Sequence, residues 1–178
     1  PPDLNLNDHI NSNFVITLNL LLALKNNNTK NFIYTNTAAI YELGSSIKED
    51  SKIKCMSDYA LSKNITSELI KKFSLDYKFL FKDLRLFSVY GKWEKKHRLV
   101  YGAILKAAQK KEYNILSSNQ IRDYLNVEDV INAILLSTNI KKNLKLNVCS
   151  GKSQKTHDLV KKILKILNWR AKLIKVKK

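Results

Sequence analysis

The sequence predicts an α/β protein built on a doubly wound parallel sheet that lacks its first strands. Three observations predict it. Helical and strand patterns alternate at short spacing, with no internal repeat and no Pro/Gly-rich linker. The first helical segment, Asn13 to Lys25, is apolar almost all round, as a helix buried against a sheet must be. A hydrophobic content of 44% in 178 residues supplies one real core rather than two complete domains.

The elements follow in order. Asn26 to Lys30 breaks the first helix, and Phe32-Ile33-Tyr34 reads as a short buried strand. Ser57 to Lys72 is helical, with Ile65, Leu69 and Ile70 on an apolar stripe. Phe79 to Val89 contains a strand ending at Tyr90-Gly91, where glycine permits a turn. Leu99 to Lys111 is an amphipathic helix, Tyr113 to Leu116 a short strand, and Ile121 to Val127 extended. Asn126 is placed to cap the next helix, with Asp129 in capping-box position. Leu144 to Cys149 is a strand, Thr156 is expected to cap a long helix through Leu167, and Ala171 to Val176 is a final weak strand.

Composition excludes several functions. The longest apolar run, Leu20 to Leu24, is too short to cross a bilayer, and no signal segment marks the chain for export. Cys55 and Cys149 have no metal-ligand spacing, so no metal site is expected and a reducing cytoplasm is the natural setting. Cys149 reads as core filler, and His9, His97 and His157 as incidental. The net charge of +17 suggests nucleic acid, yet it comes from 28 Lys and only 4 Arg, whereas base and phosphate recognition favours Arg forks. Gly151 to Lys178 alone carries ten basic residues and one acidic one. A solvated lysine face is the plain reading of that segment, and a polyanion-binding module the competing one.

Tyr59-Ala-Leu-Ser-Lys63 carries chemistry. The i, i+4 spacing sets a phenol and an ammonium on one helix face. A hydroxyl being oxidised must lose a proton as its hydride leaves, and a phenolate is a suitable base. A fixed positive charge about 4–6 Å away favours the phenolate by roughly 3–4 kcal/mol at an effective dielectric of about 20. Eight tyrosines and 28 lysines in 178 positions give about 1.3 such pairs by chance. The pair therefore speaks only in company.

Its company is Phe32-Ile33-Tyr34-Thr35-Asn36-Thr37-Ala38-Ala39-Ile40-Tyr41 upstream. Downstream come Leu84-Arg85-Leu86-Phe87-Ser88-Val89-Tyr90-Gly91, Arg122-Asp123-Tyr124-Leu125-Asn126-Val127-Glu128-Asp129-Val130 and Asn147-Val148-Cys149-Ser150-Gly151. This ordered series resembles the extended short-chain dehydrogenase/reductase family, the NAD-dependent nucleotide-sugar epimerases and dehydratases, from about Asp8 to Leu167. The resemblance implies a Rossmann-type sheet. Residues 1–90 would then hold the C-terminal half of the dinucleotide-binding domain with the catalytic residues. Residues 91–178 would be mostly substrate domain with returning sheet elements.

It also implies roles. Thr37 would hydrogen-bond the reacting sugar hydroxyl, Tyr59 would be the acid/base, and Lys63 would hold the nicotinamide ribose and tune Tyr59. Asn13 matches a structural helix asparagine. Phe87 and Ser88 fall where the chain passes the nicotinamide and the substrate diphosphate, and Arg122 matches a phosphate-binding arginine. Arg98 belongs to the substrate loop or to the plain surface, and Arg122 alone reads as an ion-pair partner of Asp123 or Glu128. The positions after Thr37, acidic in the 4,6-dehydratases, are Ala38 and Ala39. Epimerisation through a 4-keto sugar, or 4-keto-sugar reduction, is what remains. A degenerate relative that only binds nucleotide sugars is a further alternative.

The implied cofactor is NAD or NADP, and the full-length form is expected to be a homodimer. The family's G-x-x-G-x-x-G turn, which cradles the pyrophosphate, is absent: Gly44, Gly91, Gly102 and Gly151 have no such spacing. The chain is therefore expected to be a fragment or a decayed gene product, with little activity alone.

Overall fold

The computed structural model describes residues 4–25, 27–109, 111, 113–115, 120–169 and 173–175. The chain divides into two compact units. One is Pro1–Leu86 with Asn132–Val148; the other is Phe87–Ile131 with Cys149–Lys178.

The first unit opens with one run of helix: α1 (Leu6–His9), a π-helical turn (Ile10–Val15) and α2 (Ile16–Leu24). Asn5 and Asp8 cap it reciprocally. Strand β1 (Asn31–Thr37) runs into a 3-10 turn (Ala38–Ile40), and α3 (Asp58–Tyr77) follows. Ser57 caps α3 by accepting from Ala60 N at 3.2 Å, and Lys78 ends it in the left-handed conformation at φ 56°. Strands β2 (Leu80–Leu86) and β6 (Leu144–Val148) complete a parallel sheet in the order β1-β2-β6. Crossover through α3 is what a parallel β1–β2 pair requires. The parallel doubly wound expectation is met, and the strands' carboxyl ends, where such sheets bind ligands, carry Thr37 and Leu86 in register.

Leu21, Tyr34, Ile70, Phe79 and Phe81 form the main core of this unit, with Phe32, Leu69 and Phe73 packed on it. Each apolar side chain so buried stabilises by about 1.5–3 kcal/mol. Ile40, Tyr41 and Ala60 form a second cluster, which ties the start of α3 to the turn after Thr37. Lys82 is fully buried in β2, its Nζ donating to the carbonyls of Ile140, at 2.6 Å, and Lys142.

The second unit contains β3 (Ser88–Tyr90), α4 (Leu99–Ala108), β4 (Tyr113–Ile115) and β5 (Ile121–Asn126). The start of α5 (Val127–Thr138), then β7 (Ser153–Lys155), α6 (Thr156–Ile166) and β8 (Leu173–Lys175) follow. Here β3-β5-β7 and β4-β8 form two small sheets. Ala103 and Ala107 of α4 pack on Val160 and Leu164 of α6. Gly91 stands at φ 151°, and a Cβ there would meet Val127 Cγ1 at 2.4 Å, so only glycine fits.

Several expectations need correction. The helix over Asn13 to Lys25 is not buried all round: in α2 only Leu21 is buried, and Ile16, Leu20 and Leu22 are exposed. The stretch Phe79 to Val89 is not one strand: β2 ends at Leu86, and β3 pairs elsewhere, with β5. Nothing in the local pattern of this stretch marks a change of ladder partner. Thr156 does not cap α6 from outside but is its first residue, its hydroxyl bonded to Gln120 O at 3.1 Å and Tyr124 Oη at 3.2 Å. Asn126 caps α5 through Glu128 N at 2.9 Å rather than through Asp129. Cys149, expected inside, is exposed just beyond β6. Asn26, Leu116, Ala171 and Val176, at the ends of expected segments, lie outside the described residues. Among the described residues no helix is long and apolar enough to cross a membrane.

Candidate active site

The residues of the first unit gather at the carboxyl end of β1 and the start of α3. Thr37 is the last residue of β1, extended at φ −132° and ψ 143°. Its hydroxyl oxygen accepts from Ala39 N at 3.2 Å, which starts the 3-10 turn. Its own N–H donates to Asn36 Oδ1 at 2.8 Å. The strand tip is thus held from both sides.

Tyr59 is the second residue of α3, beside the positive end of the helix macrodipole, which favours a developing phenolate. It keeps 41% exposure, so its phenol is reachable from solvent. One turn on, Lys63 is only 8% exposed, and its Nζ lies 4.1 Å from the centroid of the Tyr34 ring. Burial pulls the Lys63 pKa down to about 8, against the opposing pull of the Asp83 carboxylate. Burial likewise pushes the Tyr34 phenol well above its ordinary value. The buried Tyr34 hydroxyl makes no hydrogen bond of regular geometry. The Thr66 hydroxyl, already donating to the Ser62 carbonyl at 2.7 Å, eases that rise only in part.

Asn13 lies in the π-helical turn and donates from Nδ2 to Ser62 Oγ at 3.0 Å, while Ser62 donates to the Tyr59 carbonyl at 2.9 Å. Such turns recur where a helix must present a side chain out of step. His9, incidental by sequence spacing, has a neighbour in the structure. The structure sets its ring edge-on to the Tyr59 ring, with centroids 5.6 Å apart. No sequence spacing links the two, because 50 residues separate them.

Behind Thr37 lies a buried polar cluster that pattern reading overlooked. Asn36 Nδ2 donates to Asp83 Oδ1 at 2.9 Å, and Arg85 Nε pairs with Asp83 Oδ2 at 3.0 Å. Arg85 Nη1 also donates to Tyr41 Oη at 2.6 Å and to the Glu49 carbonyl at 3.1 Å. Tyr41 in turn donates to Asn147 Oδ1 at 2.7 Å. Burial works against the Arg85 guanidinium, but the Tyr41 hydrogen bond and the Asp83 charge outweigh it and hold its pKa above the ordinary value. The available signal was Asn36, Asp83 and Arg85 themselves, polar residues in strands where a parallel sheet wants apolar ones.

The other candidates lie in the second unit. Phe87 and Ser88 are half-buried where that unit begins, Ser88 as the first residue of β3. Arg98 precedes α4 and pairs loosely with Glu94 at 3.5 Å. Arg122 is exposed on β5, its Nε 3.4 Å from Gln120 Oε1. Asp123, its alternative partner by sequence, is buried and accepts instead from Ser150 N at 2.8 Å.

Comparison with known proteins agrees with this fold. The model of the NAD dependent epimerase/dehydratase family matches residues 4–149. Protein CapI of Staphylococcus aureus is 28% identical over 136 residues, 73% of this chain and 40% of CapI. A UDP-N-acetylglucosamine 4-epimerase of Methanobrevibacter ruminantium, solved with UDP-N-acetylmuramic acid, superposes with a TM-score of 0.86 at 26% identity, over 92% of this chain and 55% of that one. A UDP-glucuronic acid 4-epimerase of Bacillus cereus, solved with UDP-glucuronic acid and NAD, superposes with a TM-score of 0.85 at 24% identity, over 93% of this chain and 54% of that one. The chain thus spans 40% of its curated relative and about half of these structures.

Proposed function

Because the chain belongs to the NAD-dependent epimerase/dehydratase family, we propose that it carries the acid–base half of a nucleotide-sugar epimerase or 4-keto-sugar reductase. The observation that carries this reading is the division of labour on α3: a solvent-reachable phenol at Tyr59 and, one turn on, a buried ammonium at Lys63. In the epimerase form, Tyr59 takes the proton of the C4 hydroxyl and returns it to the turned-over keto sugar. In the reductase form, Tyr59 only donates. Thr37 offers its hydroxyl to the reacting sugar oxygen. Ala38 and Ala39 exchange no protons, which disfavours dehydration.

The nicotinamide of NAD or NADP, when bound, accepts and gives the hydride. The residues present suit it in part. The Tyr34 ring face answers the charge of Lys63 but not its three N–H donors, which fits an ammonium completed by ribose hydroxyls. Phe87 would line the nicotinamide. Ser88, Arg98 and Arg122 would serve the substrate, with Arg122 suited to a phosphate oxygen. A pyrophosphate-cradling glycine turn is not among these 178 residues. Substrate domain and catalytic half would divide near residue 90. Exposed Ile16 and Leu20 on α2, with Leu61 and Ile65 on α3, support a homodimer in the full-length form. A cytoplasmic setting fits two cysteines outside any disulfide.

The test joins the chain in frame to the glycine-rich half of a relative and offers UDP-glucose, UDP-glucuronic acid and UDP-N-acetylglucosamine. Appearance of a C4 epimer supports the epimerase. NADPH-dependent loss of a 4-keto sugar nucleotide supports the reductase. Nucleotide sugar bound but unchanged in both assays would leave a binding protein only.

A further inference from the structure

We infer that Asp83 is a positioning residue for the reaction, holding Thr37 in place through Asn36 and standing as the counter-charge beneath Lys63. The inference rests on the acid–base reading of Thr37, Tyr59 and Lys63.

Register places the parts. Tyr34 pairs with Asp83 and Asn36 with Arg85 across the parallel β1–β2 ladder. Residues two apart on a strand share a face. Tyr34, Asn36, Asp83 and Arg85 therefore form a two-by-two block on one face of the sheet, and Lys63 of α3 lies over its Tyr34 corner. Asp83 is 3% exposed, and each carboxylate oxygen has a partner, Asn36 Nδ2 on one and Arg85 Nε on the other. The Asn36 amide cannot turn: Nδ2 is committed to Asp83, and Oδ1 is thereby aimed at Thr37 N, 2.8 Å away. A strand end normally frays, and this one is fixed by a buried side chain. The Thr37 hydroxyl is then set by its own bond to Ala39 N.

A buried carboxylate bound only for stability would be a poor choice, since an apolar pair of similar volume often does as well. What an apolar pair cannot supply is an acceptor that orients Asn36 and a negative charge near Lys63. The ionisable groups facing Lys63 are Tyr34 on β1, Asp83 on β2 and Tyr59 on its own helix, with Arg85 behind Asp83 partly offsetting the carboxylate. Asp83 opposes the loss of the Lys63 proton that burial favours.

Two variants test the inference, Asp83→Asn and the charge-free pair Asp83→Leu with Arg85→Met. In the chain itself, the Lys63 ammonium is titrated by NMR of labelled lysine. In the enzyme completed by a glycine-rich half, kcat, KM and their pH dependence are measured. The double variant is expected to fold with near wild-type stability. In both variants Lys63 should lose its proton at lower pH than in wild type. Turnover should fall at least tenfold in kcat with KM within about threefold, and its alkaline limb should move to lower pH. A double variant that is stable and turns over within twofold of wild type, or an unmoved Lys63 titration in Asp83→Asn, overturns the inference. Absence of turnover in the wild-type enzyme would instead strike the acid–base reading, while the Lys63 titration would still decide the role of Asp83 as counter-charge.

Discussion

The two units differ in how they treat positive charge: only the first, among the described residues, buries any of it. The first buries three of its cations and leaves others, Lys52, Lys54, Lys71 and Lys72 among them, in solvent: Lys63, Lys82 and Arg85 are at most 8% exposed, and each has a particular partner in a ring, carbonyls or a carboxylate. The second leaves it outside: Arg122 and, on α6, Lys161, Lys162 and Lys165 stand in solvent, and Arg98 is half-exposed with one loose partner. Burying a charge costs several kcal/mol unless its geometry is answered, so a buried cation is evidence of a built site in a way that an exposed one is not. The net charge of +17 is thus two populations. A few cations are built into the interior, and many only solvate the surface.

Breaking the buried population should have the largest effect on stability. Arg85→Met alone leaves Asp83 buried without its cation and should lower the unfolding free energy by about 3–5 kcal/mol, measured by urea denaturation of the chain. Lys63→Met should act the other way. Unfolded, Lys63 titrates near 10.5; folded, near 8. Between these values the unfolded chain holds more protons, so the stability contributed by this group rises with pH across that window and is lowest below it. Near neutral pH the variant should therefore be more stable than wild type by up to about 3 kcal/mol. The gap should close as pH rises past about 10.5. A gap that does not change with pH would mean that Lys63 holds its proton equally well folded and unfolded, so that burial does not shift it.

The exposed population should respond weakly. Arg122→Ala should shift stability by no more than about 0.5 kcal/mol, while KM for the nucleotide sugar in the completed enzyme rises about tenfold through loss of a charge-assisted contact. Lys161→Glu with Lys162→Glu on α6 should change neither stability nor kcat measurably. A large effect on turnover from these two lysines would mean that the second population is not passive.

Much of the fold was legible in sequence, and the reasons are local. The start of α3 near Ser57 and its Leu69, Ile70 face follow from sequence, whereas its end does not, since the helix runs to Tyr77 rather than Lys72; the α/β order follows from alternating periodicity. Tyr59 and Lys63 could be placed on one helix face because spacing alone decides it. The depth of each could not, since 41% and 8% exposure on the same face depend on what β1 and β2 put beneath. The Asn36–Asp83–Arg85 cluster showed in sequence only as polar residues in an expected buried strand, Phe81-Lys82-Asp83-Leu84-Arg85 with its three charges, and not as a set of partners. Partners that answer those charges come from Tyr41, Ile140 and Lys142, far along the chain. The break between β2 and β3, and the contact of His9 with Tyr59, were hidden for the same reason: neither is a property of neighbouring residues.

The most direct test of the acid–base claim is the rate at which added nucleotide sugar reduces bound nicotinamide in the completed enzyme, compared between wild type and Tyr59→Phe. A slowing of roughly 10²–10⁴-fold with nucleotide-sugar binding unchanged is the predicted result, the usual worth of a positioned acid/base. Rates within twofold of each other would contradict the account and take Tyr59 out of the chemistry.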